Sequence, residues 1–295
     1  MGMLAGRRLR MQLIDIGVNL THDAFDRDRA EVIARAERAG VAQMIVTGAS
    51  LASTRKAIEL ASAYPGRLFA TAGVHPHHAT ELEETALPAL EALAVHPAVV
   101  AVGECGLDYF RDYSPRDAQR RAFAQQLALA ARIGKPVFLH QRDAHEDFLA
   151  MVGEHRRSIA GAVAHCFTGT RRELEAYLEL ELAIGLTGWI CDERRGTHLV
   201  PLVREIPASR LMVETDAPYL LPRDLPRKPA SRRNEPQYLL HIAGAIARAR
   251  AVSREALADS STAAARALFG LPAVPAPSLN PGTIDETLEN DSIDL

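Results

Sequence analysis

Short apolar runs alternate with longer Ala-, Leu- and Arg-rich stretches along almost the whole chain, and this alternation restricts the fold more than any other feature. Strand-like runs lie near 12–18, 41–47, 68–74, 99–104, 136–140, 161–165, 183–188 and 211–216. Between them, stretches such as 27–39, 51–63, 116–133 and 171–180 carry the apolar period of amphipathic helices. Gly40 after Ala39, and Gly134 ahead of Lys135 and Pro136, sit where a helix must stop before the next strand. Eight strands separated by helices predict an α/β protein, a (β/α)8 TIM barrel, with an open doubly wound sheet as the alternative. Two further helices, about 236–250 and 253–268, add C-terminal elements to the barrel.

Length agrees with one such unit: 295 residues exceed the about 250 of a typical barrel by little more than two flanking segments. Residues 1–10 read as an N-terminal extension, 11–270 as the barrel domain and 271–295 as a flexible acidic tail, with five acids and no Lys or Arg. No apolar run approaches the roughly 18–20 residues of a membrane span, and the basic start lacks the apolar core of a signal peptide. Cys105, Cys166 and Cys191 are odd in number and lack metal-type spacing, which argues against a disulfide framework and for a reducing cytoplasm. A formal net charge of −3 excludes a whole-protein field for polyanions, so any grip on nucleic acid must be local.

Four of the strand-like runs close on a potential metal ligand. VVAVGE ends at Glu104, KPVFLH at His140, GAVAH at His165 and LMVETD at Asp216. The carboxyl ends of barrel strands converge on one face, so these four residues, far apart in sequence, are expected to meet there. Two imidazoles and two carboxylates suit a divalent metal that activates water. A single such ending could merely cap a strand, but four in register along one chain argue for a site.

Other residues cluster around these ends. Glu214 shares a strand face with Asp216, an arrangement that favours a cation over two bare carboxylates. His75, His77 and His78 follow the third strand; His75 is best placed, for substrate contact or support of a ligand rather than direct ligation. Asp108 could orient a ligand or serve a turn. Arg142 could meet a phosphate through its bidentate fork, with Asp143 fixing it or capping a helix. Thr168, Gly169 and Thr170 are expected to cap the next helix rather than bind phosphate. Cys105 and Cys166 each follow a proposed ligand, yet neighbours on a strand face opposite ways, so both are expected to be structural. The Pro- and Arg-rich segment 217–236 is expected to lie over the active face. Its Arg223, Arg227, Lys228, Arg232 and Arg233 would form an anion-binding rim beside Tyr219, whose ring could stack on a nucleobase.

Taken together, DIGVNLT, TAGVHPH, GECGLD, HCFTGT, TGWICDERRG, ETDAPYLLPRDL and SRRNEP resemble, in order, the TatD family of metal-dependent deoxyribonucleases within the amidohydrolase-like barrels. The resemblance spans about Gln12 to Gly270. It implies a cytoplasmic 3′–5′ exonuclease acting on single-stranded DNA and RNA with Mg2+. It also implies metal contacts at Glu104, His140, His165 and Asp216, and a substrate-facing His75. Most barrels of that superfamily carry H-x-H at the end of the first strand. Here Gly17, Val18 and Asn19 stand there, a loss the TatD branch shares. Asn19 is at best a weak neutral ligand, so one or two divalent ions are expected, the second held with help from substrate phosphate. A shell this poor in oxygen would also accept Mn2+ or Zn2+.

The expected reaction is hydrolysis of a phosphodiester at a 3′ end, in DNA repair or degradation. The metal lowers the pKa of water, Asp216 takes the proton, and His75 and Arg142 neutralise the phosphate. Tyr219, Arg232 and Arg233 are the expected grip on the strand, and the protein is expected to act as a monomer. The alternative is hydrolysis of another ester, such as aminoacyl-tRNA or a small phosphoester; a third reading is a non-catalytic binding barrel.

Overall fold

Eight parallel strands pair in the order of the chain: β1 (Leu13–Val18), β2 (Val41–Val46), β3 (Leu68–Ala72), β4 (Val99–Asp108), β5 (Val137–Arg142), β6 (Ala162–Ala164), β7 (Ala183–Leu186) and β8 (Leu211–Val213). The computed structural model describes residues 11–273; the readings placed on 1–10 and on 274–295 lie outside the described residues. At the seam between first and last strands, Asp216 N donates to Gly17 O at 2.9 Å and Asn19 N to Ala217 O at 2.8 Å. Strand order runs through without a reversal, which removes the doubly wound alternative and leaves the (β/α)8 barrel.

Helices α1 (Arg29–Ala39), α2 (Leu51–Ala63), α3 (Leu87–Ala94), α4 (Arg116–Ile133), α5 (His145–His155), α6 (Arg171–Glu179) and α7 (Leu199–Leu202) fall between strands, and α8 (Leu239–Arg250) and α9 (Arg254–Phe269) follow the barrel. Local chemistry sets their ends. Gly40 takes φ 101° at the end of α1, a conformation glycine adopts without a Cβ penalty. Thr170 and Glu173 form a reciprocal capping box at the start of α6, the capping role expected of that segment.

Apolar alternation along the strands divides the interior in two. Ile14, Ile16, Ile45, Ala101, Phe138, Val163 and Met212 pack in one buried cluster with Ala264, Ala265 and Phe269 of α9. The other strand face packs against the surrounding helices through residues such as Val46, Leu107, Phe123, Leu127 and Phe148. Leu271 is buried in the first cluster, and Gln43 Nε2 donates to Pro272 O at 3.1 Å, so the packed body passes the boundary expected at 270. No helix among the described residues is long and apolar enough to cross a membrane.

Two strands outrun their expected ends. Pairing of Gly106 with His140 and of Asp108 with Arg142 carries β4 and β5 further toward the loop face. Glu104 and His140 therefore lie within strands rather than closing them, while His165 and Asp216 fall just past β6 and β8. The register slips between Val102 and Cys105, placing Glu104 at the irregularity instead of in a regular ladder.

Candidate active site

Glu104 is the hub of the carboxyl face. Its Oε1 lies 2.8 Å from His165 Nε2, 2.9 Å from His140 Nδ1 and 3.3 Å from His75 Nε2. Burial alone would raise this carboxyl, but the surrounding imidazoles, His165 and His75 foremost, hold it well below the usual carboxylate range. Donor atoms of His75, Glu104 and His140 lie within 4.8 Å of one another, close enough to consider a shared ion.

The hydrogen bonds of each imidazole decide what it can do. His75 Nδ1 accepts from His77 N at 3.1 Å, so its proton belongs on Nε2, facing Glu104. Ligation through Nε2 would leave that ring with no proton at all, an imidazolate. His75 is therefore better suited to donating a hydrogen bond than to holding a metal. Burial, opposed by Glu104, pushes it down to about 4, so the donor is a neutral ring at physiological pH. His165 spans two carboxylates, with Nε2 toward Glu104 and Nδ1 3.4 Å from Glu214 Oε2. Glu214 is thus the partner that orients this ring. His140 Nε2 is buried without a hydrogen-bond partner, since Asp108 Oδ2 at 3.4 Å is poorly aligned with it.

Glu214 is fully buried and accepts a short bond from Cys166 N. Room for it comes from two glycines: a Cβ on Gly17 or on Gly185 would stand 2.5 Å from one of its carboxylate oxygens. Asp216 follows on the same segment, and Asn19 Nδ2 donates to its Oδ1 at 3.0 Å. Asn19, expected as a weak neutral ligand, orients Asp216 through its Nδ2. Burial, with repulsion from Glu104 and Glu214, pushes Asp216 up to about 7 against the pull of His165 and Asn19. Glu104 and Glu214 face four ring nitrogens between them, and one further imidazole atom, His140 Nε2, is orphaned. A cluster of carboxylates and imidazoles of this kind has the chemistry to hold a divalent cation.

Around this centre the predicted substrate residues separate. Arg142 stacks on Phe110, its Cζ 3.9 Å from the ring centroid. Tyr219 is 51% exposed and meets His22 edge-on at 5.6 Å. Arg232 is exposed. Arg233 does not join them. It donates to both oxygens of Asp28 at 2.7 and 2.8 Å, to Glu235 at 2.7 Å and to Ala24 O at 2.7 Å, above the Phe25 ring. All of this ties the loop to the start of α1, so Arg233 is a structural clamp rather than a substrate contact.

Beyond Asp108, which the sequence had singled out, two aromatic neighbours were not legible in it. Asp108 is buried and fixes His77 through a 2.8 Å contact to Nε2, while Tyr113 lies 4.7 Å from the His77 ring. Phe110 and Tyr113 are 54% and 66% exposed, adding aromatic faces beside Arg142 and His77. Their only sequence signal is an aromatic-rich turn, DYFRDY, immediately after the Glu104 strand. Cys105 is buried, and the Cys166 Sγ lies 3.7 Å from Thr187 Oγ1; all three cysteines are free.

Fold and site together define a barrel hydrolase with a candidate metal centre. The chain belongs to the TatD-related DNase family, whose model matches residues 14–270. It is 55% identical over 259 residues to the 3′-5′ ssDNA/RNA exonuclease TatD of Edwardsiella piscicida, covering 88% of this chain and 100% of that protein. The protein of the same name from Klebsiella pneumoniae (strain 342) is 52% identical, with 88% and 98% covered. Among solved structures, a TatD homologue from Escherichia coli superposes with a TM-score of 0.81 at 28% identity, covering 90% of this chain and all of that one. A TatD family hydrolase from Entamoeba histolytica gives 0.80 at 29% identity, with 88% and 98% covered.

Proposed function

We propose that this protein is a 3′-to-5′ exonuclease that hydrolyses phosphodiester bonds of single-stranded DNA and RNA. The observation that carries the reading is the buried Glu104 carboxylate within 3.3 Å of three imidazoles, with Asp216 beside it. The exonuclease names of relatives at half identity or better support it.

Mg2+ is the proposed ion, with Mn2+ or Zn2+ as substitutes; held by Glu104, His140, His165 and Asp216, it would supply Lewis acidity at the phosphate and lower the pKa of water. Asp216 accepts the proton of the attacking water. Asn19 holds that carboxylate in one orientation. Water oxygen bonds to phosphorus as the ester P–O bond breaks, and the departing oxygen takes its proton from solvent. His75, neutral and protonated on Nε2, donates to the phosphate as its charge grows. Arg142 offers its fork to a phosphate oxygen while Phe110 fixes the guanidinium plane. Tyr219 offers a stacking face and Arg232 an exposed charge to the strand.

We place the protein in the cytoplasm as a monomer, serving DNA repair or degradation; three free thiols support a reducing setting. Cleavage of end-labelled single-stranded DNA by metal-stripped protein, with Mg2+, Mn2+ or Zn2+ restored, tests the activity. A metal-dependent ladder from the 3′ end, absent in Glu104→Ala, is expected. Full cleavage by Glu104→Ala would overturn the site, and no cleavage with any metal would redirect attention to aminoacyl-tRNA esters and small phosphoesters.

A further inference from the structure

A second group of potential ligands shares no residue with the active site. Cys191 ends the 3-10 turn Gly188–Cys191 after β7, Asp224 lies in the loop after β8, and His241 sits in the first turn of α8. Their donor atoms fall within 4.8 Å of one another, and His241 Nε2 is 2.6 Å from Asp224 Oδ1. Among the described residues this is the one such three-residue group outside the active site.

The β8 loop packs closely on the turn that carries Cys191. Gly188 lets the β8 loop settle on the turn, since a Cβ there would stand 2.4 Å from Leu220 O and 3.2 Å from Pro222. The thiol forms the floor, with Cys191 only 4% exposed. The imidazole and carboxylate lie nearer the surface, their side chains 21% and 42% exposed, so solvent reaches the group.

We propose that Cys191 Sγ, Asp224 Oδ1 and His241 Nε2 form a second divalent-cation site, selective for a borderline-soft ion such as Zn2+. One thiolate and one carboxylate neutralise a dication, so the loaded site is uncharged, with Arg248 close enough to Cys191 to act on its thiol electrostatically. The mixture of sulfur, nitrogen and oxygen suits zinc or cobalt and disfavours magnesium, which demands an oxygen shell. Side-chain rotation of about an ångström, parting His241 Nε2 from Asp224 Oδ1, would bring all three atoms to about 2.0–2.3 Å from one ion. Loading releases the Cys191 thiol proton to solvent, while the proton between His241 Nε2 and Asp224 passes to His241 Nδ1, leaving a neutral ring with Nε2 free to ligate. The ion would fasten the loop that carries Arg227, Lys228 and Arg232 to α8, ordering the basic rim from behind.

Cobalt titration of the full-length, metal-stripped protein tests this, because a thiolate ligand gives a near-ultraviolet sulfur-to-cobalt band that oxygen and nitrogen ligands do not. The band should appear in the wild type, bleach on adding Zn2+, persist in Glu104→Ala and in Cys166→Ser, and vanish in Cys191→Ser. Asp224→Asn, a change at an exposed position that should fold normally, should weaken cobalt binding by more than about tenfold. No band at saturating cobalt, or a band that survives Cys191→Ser or disappears in Cys166→Ser, would overturn the proposal.

Discussion

Arg232 and Arg233 are neighbours in sequence, and the structure assigns them opposite consequences on removal. Arg233→Ala deletes a guanidinium that bonds both oxygens of Asp28, one of Glu235 and the Ala24 carbonyl. The Arg233 bond is the main reason that Asp28 falls from 3.8 to about 2. Nearly two pH units at about 1.4 kcal/mol each sets a ceiling of about 2.5 kcal/mol for all partners of Asp28. That side chain is 30% exposed and also binds Arg35, so solvent screening and sharing reduce the part due to Arg233 to about 1 kcal/mol. Losing the Glu235 pair and the carbonyl bond adds about 1 kcal/mol more. A total near 2 kcal/mol lowers the melting temperature by roughly 5 °C for a domain of this size. Calorimetry of the two single variants provides the assay. The depressed Asp28 carboxyl contributes its stability above its unfolded value of 3.8 and loses it as pH falls toward 2. The gap between wild type and Arg233→Ala should therefore be constant above about pH 4 and narrow below it. Arg232→Ala should leave the melting temperature alone and lower the salt slope of DNA binding by about one. A thermally silent Arg233→Ala that instead weakens DNA binding would refute the reasoning.

Three further outcomes follow from the site. Gly185→Ala drives a Cβ to 2.5 Å from Glu214 and should cost about 1–3 kcal/mol in denaturant melts, with a loss of metal affinity that Gly153→Ala, at an open position, does not share. Chelated protein should lose stability as pH rises from about 4 to 8, because Asp216 and fully buried Asp15 are raised to about 7 and about 8 above an unfolded value of 3.8. Restoring Mg2+ should cancel the Asp216 part, while Asp15→Asn should cancel the other; melting curves that are flat over this range would contradict both. Arg142→Ala should lower kcat/KM on single-stranded DNA by about tenfold to a hundredfold, corresponding to about 1.5–3 kcal/mol for a charged hydrogen bond, with the melting temperature unchanged.

The sequence by itself determined the barrel and the identities at its carboxyl face. Strand period, helix period and glycine stops are local properties, legible without any tertiary contact, and they located all eight strands to within a few residues. Because parallel barrel strands converge at one end, Glu104, His140, His165 and Asp216 could be grouped before any distance was measured. What those residues do to one another was not legible, since it depends on hydrogen bonds across long sequence separations. Glu214 as the partner of His165, Asn19 as the orienter of Asp216, and Asp108 behind His77 all arise from loops meeting above the sheet. Arg233 shows the limit most clearly. Its composition is that of a basic substrate rim, but Asp28, more than two hundred residues earlier, reaches it first. A charge run records which groups are available, and only the packing of the chain decides which charges are already neutralised by its own carboxylates and which still face the solvent.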